Sequence, residues 1–270
     1  MKDLKVAAPK RKVYGFDHDL TLLEKLLLQP ESHNGLKAIG IVGKPGVGKS
    51  TLCQELLSRP KVKAHFLPRI LVSMSIKYNE DDQDLKNTIV KGMLTYLGVE
   101  EEIAKSNIIN EELRGLLYAL HLQLMGKRYL IVLDDVKETD AWHEKLDSSS
   151  STKNEKWGER FAYGFPKGYG GAVIVTSTSE EIVKKMIGDK KHIHQLLPFS
   201  DQENCWSIFK DAVVDKKRIE HNPDLKKQLL DKSGGIPLAA KKIGQIVNEK
   251  LRKAEEKPPE IESGDVENKL

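Results

Sequence analysis

The sequence predicts an α/β protein of three-layer α/β/α type, built on a parallel five-stranded sheet and followed by a small C-terminal helical subdomain. Three observations predict it. An apolar run from Leu36 to Val42 leads directly into nine residues, GKPGVGKST, and then into a helical stretch. A second apolar run, Tyr129 to Leu133, ends on two adjacent aspartates, and from Ser200 onward the pattern is wholly helical. Wholly apolar runs of this length suit parallel strands covered on both faces, which helical crossovers must connect.

The nine residues carry the first chemical signal. They fit G-x-x-x-x-G-K-[ST] without a mismatch, between a buried-type strand and a helix, as a phosphate-binding loop requires. Gly43, Lys44, Pro45, Gly46, Val47 and Gly48 supply a tightly curled backbone whose N–H groups converge on phosphate oxygens. The helix that follows presents its positive end to the same place. Lys49 would reach the β- and γ-phosphates, the Ser50 hydroxyl would ligate Mg²⁺, and Thr51 completes the stretch. Nucleotide binding follows from this pattern; turnover needs groups from elsewhere in the chain.

Those groups are expected at the end of the second apolar run. In KRYLIVLDDV, residues 127 to 136, the two carboxylates stand at the C-terminal end of the strand, the ligand side of a parallel sheet. Asp134 would hold Mg²⁺ and Asp135 could polarise an attacking water.

The remaining elements follow in order. Residues 1 to 12 form a basic arm. Asp17 or Asp19 can cap a first helix with Leu20, Leu23 and Leu27 on one face. Arg59 and Pro60 close the helix after the phosphate loop, and residues 69 to 75 alternate as a second strand. Helices are expected over Asp84 to Leu97 and Asn110 to Met125, the latter capped by Asn110 and burying Leu113, Leu116, Leu117, Leu120 and Leu124. Residues 147 to 156, with four consecutive serines, read as a flexible insertion. Ala172 to Thr176 gives a fourth strand, a helix starts near Ser179, and residues 192 to 198 give a fifth strand with His192 and His194 as polar edge positions. Ser200 and Glu203 form a capping box before a helix with Trp206, Phe209 and Val213 on one face. Asn222 and Pro223 start another helix, and Pro237 sits in the first turn of the last. The organisation expected is a nucleotide-binding part over residues 13 to 199, helices over 200 to 252, and a disordered tail from Lys253.

Composition narrows the function classes. Apolar residues make up 39% and charged residues 31%, and the net charge of +4 is too small and dispersed to indicate nucleic acid. Aromatics at 6% supply no stacking platform for single strands. Two cysteines signal neither a disulfide framework nor a zinc site, and a reducing compartment fits. With no secretory or membrane-spanning segment at the N-terminus, the cytoplasm is expected, with the nucleus as an alternative through Lys10, Arg11 and Lys12.

Taken together, GKPGVGKST, LIVLDDV, GGAVIVTSTSEEI, HIHQLLPFSDQENCWSIF and SGGIPLA resemble, in order and rough spacing, the NB-ARC module of plant disease-resistance proteins of the NLR class. VYGFD at 13 to 17 resembles the segment preceding that module's phosphate loop. The resemblance implies a switch that holds ADP when off and ATP when on, and whose output is contact with another protein, such as an NLR or immune regulator. It also implies that Val13, Tyr14, Pro237 and Leu238 pack near the adenine and ribose.

Three departures qualify it. Many relatives end the fourth-strand motif with Thr-Thr-Arg, the arginine sensing the γ-phosphate; here the triplet is Thr176, Ser177 and Thr178. Thr178 brings no positive charge, so slow or absent hydrolysis is expected. The similarity stops near Leu251, before the winged-helix subdomain with its Met-His-Asp motif would begin, and neither leucine-rich repeats nor an N-terminal signalling domain is in view. The competing readings are an active Mg²⁺-dependent ATPase in which Asp135 activates water, and a pseudo-NTPase scaffold.

Overall fold

The computed structural model describes residues 12–29, 35–75, 83–99, 113–137, 142–146, 160–188, 192–214 and 223–255. The basic arm up to Arg11, the serine-rich stretch 147–156, Asn110 and Asn222 lie outside them. Contacts divide the chain into two compact units, 1–197 and 198–270.

The first unit is a parallel sheet of five strands: β1 (Lys37–Val42), β2 (Arg69–Ser73), β3 (Leu130–Val136), β4 (Ala172–Ser177) and β5 (His192–Gln195), in the order β2-β3-β4-β1-β5. Around them run α1 (Asp17–Leu28), α2 (Lys49–Ser58), α3 (Pro60–His65), α4 (Gln83–Tyr96), α5 (Leu113–Leu124) and α6 (Glu180–Ile187). The predicted α/β architecture is the one observed. The central strands are buried along most of their length, which is why their sequences lack alternation. β1, whose neighbours are β4 and β5, carries the phosphate loop out at its C-terminal end.

Several local readings change. Neither Asp17 nor Asp19 caps α1: Phe16 takes the N-cap position without a side-chain bond, and both aspartates fall in the first turn. Asp19 instead meets His194 Nε2 at 2.8 Å, tying α1 to the edge strand β5. At the other end of α1, Lys37 Nζ donates to the carbonyls of Leu26 at 3.1 Å, Leu27 at 3.0 Å and Gln29, placing a cation on the helix's negative terminus. Pro60 ends α2 but also opens α3, since proline at the first helical position loses no needed N–H. β2 stops at Ser73 and β5 at Gln195, each earlier than the expected ranges of 69 to 75 and 192 to 198.

The second unit contains α7 (Gln202–Ala212), α8 (Pro223–Ser233) and α9 (Pro237–Glu255). Cys205, Trp206, Phe209, Val213, Leu229 and Ala240 form its core, with Trp206 and Phe209 stacked at 5.2 Å. Asp201, not Ser200, caps α7, accepting from the Glu203 N–H at 3.0 Å. α9 runs through Glu255, so residues 253 to 255, assigned above to a disordered tail, are helical. Gly235 has φ +74°, and a β-carbon there would lie 2.5 Å from the Phe199 carbonyl oxygen, which accounts for the glycine of GGIPLA on steric grounds.

Candidate functional site

The site is built at the C-terminal ends of β1, β3 and β4. Gly43 to Gly48 leave β1 and turn into α2, with Gly48 at its N-cap and φ +106°. A β-carbon on Gly43 would lie 2.5 Å from the Leu196 carbonyl oxygen, so the loop leaves its strand with no room for a side chain. Lys44 and Pro45 are exposed, Gly46 half-buried and Val47 buried. The first-turn N–H groups of α2 have no carbonyl of their own helix to bind, and they open toward the loop.

Lys49 curls back over this loop. Its Nζ donates to the carbonyl oxygens of Gly43 at 2.8 Å and Lys44 at 3.3 Å, and the residue is 7% exposed. Burial lowers the ammonium's pKa, against the carboxylates of Asp135 and Asp134, which hold it up. Ser50 is half-buried in the same turn, and Thr51 is exposed one residue on.

Asp134 and Asp135 occupy an irregularity in β3. The β3–β4 register runs Leu133 opposite Val175 and then Val136 opposite Ser177, so two aspartates face the single residue Thr176. This is a β-bulge, and Asp135 takes a left-handed φ of +60° in it. Thr176 Oγ1 donates to Asp134 Oδ1 at 2.7 Å and accepts from the Asp135 N–H at 2.9 Å. Asp134 is 7% exposed, whereas the Asp135 side chain is about one-third exposed, with Lys137 Nζ 3.6 Å from its carboxylate. Sequence reasoning took Thr176 only as an aligned letter of a motif; nothing local distinguishes its hydroxyl from any other strand threonine.

The donor set fits a polyphosphate with a hard divalent cation. Loop amides and a buried ammonium suit the phosphates, and a carboxylate with a nearby hydroxyl suits Mg²⁺. Among the described residues no group of three or more His, Cys, Asp or Glu could hold a metal.

A family model described as the NB-ARC domain matches residues 19–219. The chain belongs to the NB-ARC family. Two similar relatives are Arabidopsis thaliana proteins named probable disease resistance protein At5g45490, 39% identical, and At5g45440, 37% identical. Each alignment covers 88% of this chain and 75% of the relative. A solved signal-transduction ATPase with a tetratricopeptide repeat sensor, from Pyrococcus horikoshii, matches over 86% of this chain and 30% of its own, at 16% identity and a TM-score of 0.45.

The other residues that the resemblance implied for the site are placed as follows. Val13 and Tyr14 are half-buried just before α1, with Lys12 Nζ 5.0 Å from the Tyr14 ring centroid. Thr178 is exposed immediately after β4. Pro237 and Leu238 lie in the second unit, in the first turn of α9, with Leu238 45% exposed. No helix among the described residues is long and apolar enough to cross a membrane.

Phe16 is a second residue that sequence reasoning missed. Almost fully buried, it packs its ring against Gly48. The signal available was a lone aromatic two residues after Tyr14, with no periodicity to mark its direction.

Proposed function

We propose that this chain is an ADP/ATP-binding switch with Mg²⁺, acting in plant defence, whose nucleotide state gates contact with another protein such as an NLR or immune regulator. Hydrolysis is slow or absent. The observation that carries the reading is the pairing of a furnished phosphate site with an uncharged strand end: Lys49, Asp134 and Asp135 gather at the C-terminal ends of the central strands, while β4 is followed by the hydroxyl of Thr178. The equipment for holding nucleotide is there, and the guanidinium that would stabilise charge on a transferring phosphoryl group is not supplied from β4. The names of the relatives support the defence role. The two free, buried cysteines, Cys53 and Cys205, are in keeping with action in the cytoplasm or nucleus.

The test is to purify the protein without added nucleotide, denature it, and identify what is released, with Lys49→Ala alongside. Stoichiometric ADP that disappears in the variant supports the switch. A folded wild-type protein that comes out empty and fails to bind added ATP with Mg²⁺ overturns it in favour of a scaffold.

One observation favours a second reading, an active Mg²⁺-dependent ATPase. Asp135 holds a positive φ, uncommon for a residue other than glycine, and keeps its carboxylate partly exposed beside Asp134. Turnover that is abolished by Asp135→Asn would establish this reading.

A further inference from the structure

We infer that Thr176 is a positioning residue for the carboxylate pair: through one hydroxyl it fixes the orientation of Asp134 and the backbone of Asp135. The inference rests on the Mg²⁺-nucleotide reading above and deepens it.

The bulge creates the need. Opposite Thr176 the backbone ladder between β3 and β4 is interrupted, because two residues of one strand face one of the other. The Thr176 side chain fills the gap, donating to Asp134 Oδ1 at 2.7 Å and accepting the Asp135 N–H at 2.9 Å. The next residue closes the bulge from the other side: Ser177 Oγ donates to the Val136 carbonyl at 2.7 Å and accepts the Ser179 N–H at 3.1 Å. Thr176 and Ser177 are both fully buried, and the bonds their hydroxyls donate to Asp134 and Val136 are shielded from water.

The consequence is a division of labour within one carboxylate. Oδ1 of Asp134 is committed to Thr176, which leaves Oδ2 as the oxygen available to a cation or its water. A carboxylate locked in this way binds metal without first losing rotamer freedom, and loss of such an outer partner typically costs metal affinity roughly 10- to 100-fold. The bond to the Asp135 N–H holds the same bulge in the φ +60° conformation that sets the direction of the Asp135 side chain. Val175 and Ser177 cannot substitute for Thr176, since only the residue opposite both aspartates reaches them.

The experiment measures ADP affinity in Mg²⁺ and in EDTA for the wild type, Thr176→Val and Thr176→Ser. Valine keeps the shape and removes the hydroxyl, whereas serine keeps the hydroxyl. The expected result is that valine reduces the Mg²⁺-dependent gain in affinity about tenfold while affinity in EDTA changes little, and that serine restores the gain. A merely structural role would shift both conditions together. A full Mg²⁺ effect in Thr176→Val overturns this inference alone. A wild type that binds ADP equally with and without Mg²⁺ overturns the Mg²⁺-nucleotide reading and this inference with it. Should the valine variant not fold, amide exchange in the wild type decides: protection of the Asp135 N–H supports the bond to Thr176, and exchange at the rate of an open loop refutes it.

Discussion

The ring of Phe16 closes over Gly48: a β-carbon on that glycine would fall 2.5 Å from Phe16 Cζ. The residue at the N-cap of α1 thus touches the residue at the N-cap of α2, and the stretch before the first helix supports the phosphate loop from outside it.

Phe16→Ala removes this support. Truncating a fully buried phenylalanine costs about 3–5 kcal/mol, and here the gap opens beside Gly48, whose φ of +106° already places the loop in an unusual conformation. The expected outcome is a lower melting temperature together with weaker nucleotide affinity. Calorimetric titration with ADP on the folded fraction checks it, and an unchanged affinity would show that the ring serves stability alone.

Acid should loosen the packing of α1. Glu24 is 8% exposed, meets Arg59 Nε at 2.5 Å, and lies 3.5 Å from Lys61 Nζ. The hydrogen bond from Arg59 holds its carboxyl below the ordinary glutamate range, against burial, with the charges of Arg59 and Lys61 adding to the effect. A depressed folded-state pKa contributes stability that is fully present above the unfolded-state value and is lost as pH falls through the folded-state value. Glu24→Gln should therefore lower the melting temperature at neutral pH, and its deficit should shrink as the pH falls below the glutamate range. A deficit constant across that window would show that the ion pair contributes nothing.

Thr178→Arg should alter nucleotide preference. Thr178 is exposed just past the C-terminal end of β4, so a longer side chain fits without repacking the core. A guanidinium there adds charge-assisted contact to a γ-phosphate that ADP lacks. The ratio of ATP to ADP affinity should rise several-fold in competition binding. An unchanged ratio would mean that this strand end does not sense the third phosphate.

The sequence by itself determined the layered α/β architecture, the phosphate loop, the paired aspartates and the helical periodicity of the second unit. All of these are written in residues close together along the chain: a glycine pattern, apolar runs such as Tyr129 to Leu133, or a face shared by Trp206, Phe209 and Val213. Only the tertiary structure decided how the site is held. Thr176 and Asp134 are 42 residues apart, and their bond exists because β3 and β4 are neighbours with one extra residue on β3. Phe16 meets Gly48 only once α1 and α2 are packed together. Cap choice followed the same rule in miniature: Ser200 and Asp201 are both good caps by type, and the backbone decided for Asp201. Local propensity reaches a few residues along the chain, whereas bulges, ring contacts and carboxylate orientations are set by whichever strand or helix arrives alongside.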